Sequence, residues 1–167
     1  GSNATSSIWI GAGDFSLVSG DAEHAYLGKT LVNGYYQTGY VFKDRAPNSG
    51  SDGIETKFAL PANWSDVEEI DVTFYYTAAS GAGNIQLWKG FGGFAAGQAI
   101  GSIGWNSMHF GAVNGNGTME YHRHWFSLND STMYGIGLER SSDTSNTPDT
   151  NEGDVVFYGI LIEPRIA

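Results

Sequence analysis

Ile70-Asp71-Val72-Thr73-Phe74-Tyr75-Tyr76-Thr77 is the stretch that decides the fold class. Ile70, Val72, Phe74 and Tyr76 alternate with Asp71, Thr73, Tyr75 and Thr77, a period of two. On extended backbone, side chains two apart share a face, so this segment reads as a strand with a buried side. The same signal recurs outward from it. Upstream lie Ile8-Trp9-Ile10, Phe15 to Val18, Tyr26 to Val32, Thr38 to Phe42, and Ile54 to Leu60 with Ile54, Thr56 and Phe58 on one face. Downstream follow Ile85 to Trp88, Met119 to Phe126, Tyr134 to Leu138 and Val155 to Ile162. Clusters of Gly, Asn, Asp and Ser separate them, which is turn chemistry. The nearest helical pattern, Trp64 to Glu69, lasts barely one turn after Pro61. Parallel strands need long crossovers, usually helical, and no such pattern is present. The expected class is therefore all-β, an antiparallel β-sandwich. The closing run Val155 to Ile162 is apolar enough to be expected at the centre of a sheet.

Composition narrows the function. The chain has 167 residues, 41% of them hydrophobic and 14% aromatic, which suffices for a packed core and excludes bulk disorder. Its 24 glycines are about twice the usual share, without a Gly-X-Y period. Eight basic against 18 acidic residues give a net charge of −10, which repels phosphate backbones and anionic lipid. Neither a nucleic-acid partner nor membrane insertion is expected. The absence of Cys removes disulfides, thiolate metal sites and a thiol nucleophile. No G-x-S-x-G, H-E-x-x-H or P-loop is present, so the expectation is a protein that is not an enzyme. Gly1 and Ser2 read as a protease scar and residues 1–7 as scar plus linker, leaving 8–167 as one sandwich domain whose end is the natural C-terminus.

A second set of residues carries a resemblance. Ala59-Leu60-Pro61-Ala62-Asn63-Trp64-Ser65-Asp66-Val67 runs into the strand at Ile70, then into Ala78-Ala79-Ser80-Gly81-Ala82-Gly83 and the strand that starts near Ile85. This order resembles the C-terminal regions of bacteriophage tail fibres and tailspikes, among them those of phages infecting Acinetobacter-like hosts. The opening Trp9-Ile10-Gly11-Ala12-Gly13-Asp14-Phe15 and the apolar last strand are similar to that group as well. The specific wording covers about thirty residues near the middle of the chain. The resemblance implies a jelly-roll-like sandwich that forms a homotrimer at the distal end of a fibre and touches the host. Its partners would be two identical subunits, upstream fibre or baseplate proteins and a bacterial surface glycan. Its place would be the virion, after assembly in the host cytoplasm. It carries no shared catalytic motif. The alternatives are a capsule-degrading tailspike with carboxylates between subunits, and a trimerisation cap without ligand.

Candidate site residues come in three groups. Trp88, Phe91 and Trp105, with Asn106 beside them, surround a glycine-rich central segment, and Phe91 to Gly97 reads as loop. Planar rings next to hydrogen-bonding groups can stack on sugars, and the same rings can equally serve as core. For Trp9 and Trp64 core packing is the better fit. Tyr35 and Tyr36 follow the turn Asn33-Gly34 and form a second ring pair. His122 and His124 flank Arg123, so their imidazoles share one face of a strand. Two nitrogens are too few for structural zinc, but a threefold axis would gather six, enough for an axial transition-metal ion. The other reading is imidazoles packed on neighbouring aromatics. No cofactor is required. The acid groups Glu68-Glu69-Asp71 and Asp149-Glu152-Asp154 could serve as glycosidase carboxylates or calcium ligands, but Asp149 to Gly153 misses calcium-loop order, and at a net charge of −10 both groups read as solvated loop surface.

Overall fold

The computed structural model describes residues 6–79, 82–114, 117–145 and 148–165, with backbone only for 82 and 106–114. Eleven strands are present among them: β1 (Ile8–Gly11), β2 (Ser16–Ser19), β3 (Ala25–Val32), β4 (Tyr35–Phe42), β5 (Ser51–Phe58), β6 (Glu69–Ala78), β7 (Ala82–Phe94), β8 (Gly104–Asn114), β9 (Glu120–Ser127), β10 (Met133–Ser141) and β11 (Val155–Pro164). The helical content described is two 3₁₀ turns, Ala12–Asp14 and Ala62–Trp64.

The strands form two antiparallel sheets. The first runs β3-β4-β11-β6-β9, and the second runs β2-β5-β10-β7-β8. β11 sits between β4 and β6, as its unbroken apolar run requires. A bulge lies between Phe157 and Gly159, where β4 leaves the edge of β11 and β1 takes its place. Gly159 holds φ of +152°, and a Cβ there would meet the Ile10 carbonyl oxygen at 2.6 Å. Glycine is what lets β1 approach at the bulge.

The alternation of β6 orients the first sheet. Ile70, Val72 and Phe74 are fully buried, facing Ile160 and Ile162 on β11. Ile54 on β5 and Ile136 and Leu138 on β10 face them from the second sheet. Phe15 meets Phe157 edge-on at 5.0 Å between centroids. Burying each such side chain stabilises by about 1.5–3 kcal/mol, so this inter-sheet layer is the main source of stability. Trp64 is 1% exposed and belongs to the core, while Trp9 is 55% exposed. Core packing was the expectation for both. Trp9 lies outside because Ile8 and Ile10 take the inward positions of β1, leaving its ring 6.0 Å from Tyr75 on the outer face.

The largest difference from the sequence reading lies between Phe91 and Asn114. The glycine-rich stretch read as loop continues β7 to Phe94, and β8 pairs with it from Gly104 to Asn114. Glycine hides a strand because it adds nothing to a hydrophobic period.

Candidate functional site

β5, β10 and β7 lie side by side, and glycines leave gaps among the side chains at their outward positions. Gly53, Gly90, Gly92, Gly135 and Gly137 occupy them, opposite one another or opposite Glu139, Glu55 and Lys57 in register. The bare backbone is covered from the edge. A Cβ on Gly90 would lie 2.7 Å from Cδ1 of Ile103 and 3.0 Å from Cδ2 and Cε3 of Trp105. One on Gly137 would lie 2.6 Å from Cη2 of Trp105. The benzenoid half of the Trp105 indole therefore rests across two glycines of adjacent strands, with buried Ile103 beside it. Trp88 stands on the same outer face, opposite Glu139.

These two indoles line an open cleft of about 480 Å³ together with Glu139, Asn48, Gly50, Ser51 and Ser141 to Asp143. The volume is in the range of ligand clefts, roughly 300–1,000 Å³. Its rim is braced. Ser142 Oγ accepts from the backbone N–H groups of Ser49 and Gly50, each at 3.0 Å, and donates to the Gly50 carbonyl. Asn48 holds φ of +56°, and its side chain bonds to Thr144. Behind the rim, Arg140 points inward and donates to Asp149 at 2.9 and 3.1 Å and to the carbonyls of Phe42, Asn151 and Gly153. Arg45 grips buried Asp52 at 2.7 and 2.8 Å, and that hydrogen-bonded carboxylate holds its guanidinium even higher than usual. Such a brace limits the ordering cost when a ligand arrives.

The electrostatics of the cleft are negative. Backbone and side-chain hydrogen bonds from Ser145 hold the Asp143 carboxyl below its ordinary value, so it is ionised at neutral pH. Neither Lys nor Arg is among the described residues that line the cleft.

The fold brings only some of the expected site residues together. Trp88 and Trp105 meet in the cleft. Phe91 does not, because strand alternation turns it inward, where it stacks on Phe126 at 4.6 Å and Tyr134 at 5.7 Å. Asn106 lies in β8 opposite Lys89, and its side chain is outside the described residues. Tyr35 and Tyr36 are 75% and 65% exposed on the β3–β4 hairpin of the other sheet, with Lys29 Nζ 4.5 Å from the Tyr36 ring centroid. They form no part of the cleft.

His122 and His124 do share a face, and it is the inner one. They pair with buried Phe74 and Val72 in register. Burial is the main cause that lowers both imidazoles; the His124 charge and then the Lys89 charge add to it at His122, and the Lys89 charge adds to it at His124. Lys89 is itself buried and lowered by desolvation. Among the described residues no group of three His, Cys, Asp or Glu side chains is placed to hold a metal ion. A buried ammonium beside the pair also opposes a second cation there.

Sequence reading missed Ile103, Glu139, Asp143 and the glycine floor. A signal for the floor was present in Gly135-Ile136-Gly137-Leu138 and Gly90-Phe91-Gly92, where glycine alternates with a large apolar residue. That is a strand whose outer face is kept empty for another group.

No protein-family model matches the chain, and no curated protein matches it in sequence. Solved structures do match in fold. A family 11 carbohydrate-binding module from Clostridium thermocellum, solved with a β-1,3-1,4-mixed-linked tetrasaccharide, is 14% identical with a TM-score of 0.53, covering 96% of each chain. A family 35 module from the same organism is 15% identical with a TM-score of 0.51, covering 93% of this chain and 98% of its own. The enzymatically active domain of tailspike protein 4 from bacteriophage CBA120 is 9% identical with a TM-score of 0.50, covering 97% of this chain and 20% of the tailspike chain. At these identities the likeness shows the fold: a jelly-roll-like antiparallel β-sandwich of the kind found in carbohydrate-binding modules and in one tailspike.

Proposed function

We propose that the chain is a non-enzymatic glycan-binding domain that recognises a bacterial surface polysaccharide from the distal end of a phage tail fibre. The observation that carries the glycan reading is the Trp105 indole laid across Gly90 and Gly137 beside Trp88, in an open cleft on a braced sheet. A flat ring on a flat floor offers an apolar plane to the C–H face of a sugar, while polar rim groups meet hydroxyls. Stacking of this kind needs no cofactor. The carbohydrate-binding modules of like fold support the same reading. The phage assignment draws its support from the Leu60-Pro61-Ala62-Asn63-Trp64 resemblance and from the tailspike neighbour. In that setting three copies engage one polymer, so weak contacts per subunit sum to firm attachment on a virion.

The test is retention on host polysaccharide. The native chain should be retained, and Trp105→Ala or Trp88→Ala should abolish retention while circular dichroism shows the sandwich still folded. Retention unchanged in both variants would remove the site. The tailspike neighbour favours one second reading, a capsule-degrading domain, and shortening of the polysaccharide chains during incubation would establish it instead. Sedimentation mass decides between trimer and single subunit.

A further inference from the structure

Resting on the glycan reading of this cleft, we propose that it selects glycans bearing a free, protonated amine over N-acetylated, neutral and acidic ones. The cleft joins an aromatic plane to two carboxylates. Glu139 stands between Trp88 and Gly53 in register, and its Oε2 lies 3.4 Å from where a Cβ on Gly53 would be, so the carboxylate rests over bare backbone in the wall of the cleft that Trp88 also lines. Among the described residues Glu139 has no ion-pair partner, and Asp143 is held ionised by Ser145. Three neutral side chains of the rim are already committed. Ser142 Oγ is bonded to the 49–50 backbone, Asn48 to Thr144, and Ser141 Oγ accepts from the Asp143 N–H.

The charges around the cleft leave this imbalance standing. Lys57, on the same outer face of β5, pairs with Glu55 at 3.3 Å. Arg140 points inward to Asp149. A carboxylate only accepts hydrogen bonds. An ammonium next to it supplies three donors and the opposite charge, an N-acetyl group supplies one donor and a bulky acceptor, and a uronic carboxylate meets like charge.

The experiment is calorimetric titration with three β-1,4-linked tetramers of equal length: glucosamine, N-acetylglucosamine and glucose. At about pH 6 the amine is protonated. The glucosamine tetramer should bind about fivefold tighter than the other two, a preference at the upper end of what an exposed charge pair provides. Glu139→Gln should bring the three affinities together, and Trp105→Ala should abolish binding of all three. Equal affinities that still depend on Trp105 would overturn the amine selection and leave the glycan site intact. Amine binding that survives Trp105→Ala and vanishes in about 0.5 M salt would be unspecific charge attraction and would overturn it too. No binding of any tetramer would count against both this inference and the glycan reading beneath it.

Discussion

A single methyl group at Gly90 should disturb the aromatic floor measurably. In the structure a Cβ there would sit 2.7 Å from Ile103 Cδ1 and 3.0 Å from the Trp105 ring, while ordinary contact starts at 3.4 Å. Ile103 must therefore retreat by 3.4 minus 2.7, or 0.7 Å, and the indole by 3.4 minus 3.0, or 0.4 Å. Overpacking of this kind costs about 1–3 kcal/mol. For a chain of this length each kcal/mol lowers Tm by about 2–4 °C, so Gly90→Ala should melt roughly 2–12 °C lower. Lifting and tilting the indole should weaken glycan binding about tenfold, the equivalent of one lost stacking contact of roughly 1.4 kcal/mol. Gly104→Ala is the control. It lies in the same strand as Trp105, and a Cβ there meets nothing within 4 Å. Thermal melts and calorimetric titration of both variants give the answer. Identical behaviour of Gly90→Ala and Gly104→Ala would refute a Trp105 ring seated on bare backbone.

Other outcomes follow from the packing and the charges. Arg140→Ala leaves Asp149, whose side chain is 3% exposed, without its guanidinium, and should cost about 3–5 kcal/mol in denaturant unfolding. A loss below about 1 kcal/mol would mean the network is not formed. Trp64→Ala removes a ring that is 1% exposed and hydrogen-bonded to Ser6, and should cost about 3–5 kcal/mol by the same measurement. Acidification should also destabilise the fold. His122 and His124 hold their imidazoles below the ordinary 6.5, so the unfolded chain binds more protons in the window beneath that value, and stability falls as pH drops through it. Asp21, lowered from 3.8 to about 2 mainly by the His24 hydrogen bond, adds a second loss as pH falls from about 4 towards 2. A Tm that stays level from about pH 7 to 5, or a slope unchanged in His124→Gln, would contradict the buried imidazole pair.

Much of the fold was legible because apolar periodicity reports a strand with one buried face. β6 shows this most plainly, and the apolar β11 announced its central position. What stayed hidden was the consequence of contacts distant in sequence. Phe91 looked like a loop ring because its neighbours are glycines, yet those glycines are strand residues whose outer side is filled by Ile103 and Trp105. Trp9 looked like core, but its two isoleucine neighbours take the inward positions. The shared face of His122 and His124 followed from their spacing. Its inward direction did not, since it depends on pairing with Val72 and Phe74 of another strand. Glu139 gave no local signal at all. Its place beside Trp88 exists only in the ladder between β7 and β10.

The most direct measurement uses the five tryptophans as reporters, Trp9, Trp64, Trp88, Trp105 and Trp125. Each indole N–H gives one resolved signal in a ¹⁵N-labelled sample titrated with host polysaccharide fragments. The signals of Trp88 and Trp105 should shift together and saturably, while buried Trp64 stays in place, as do Trp9 and Trp125 on the other sheet. Shifts confined to Trp9 and Trp125, or none at all, would show that the cleft on the glycine floor is not where this protein meets sugar.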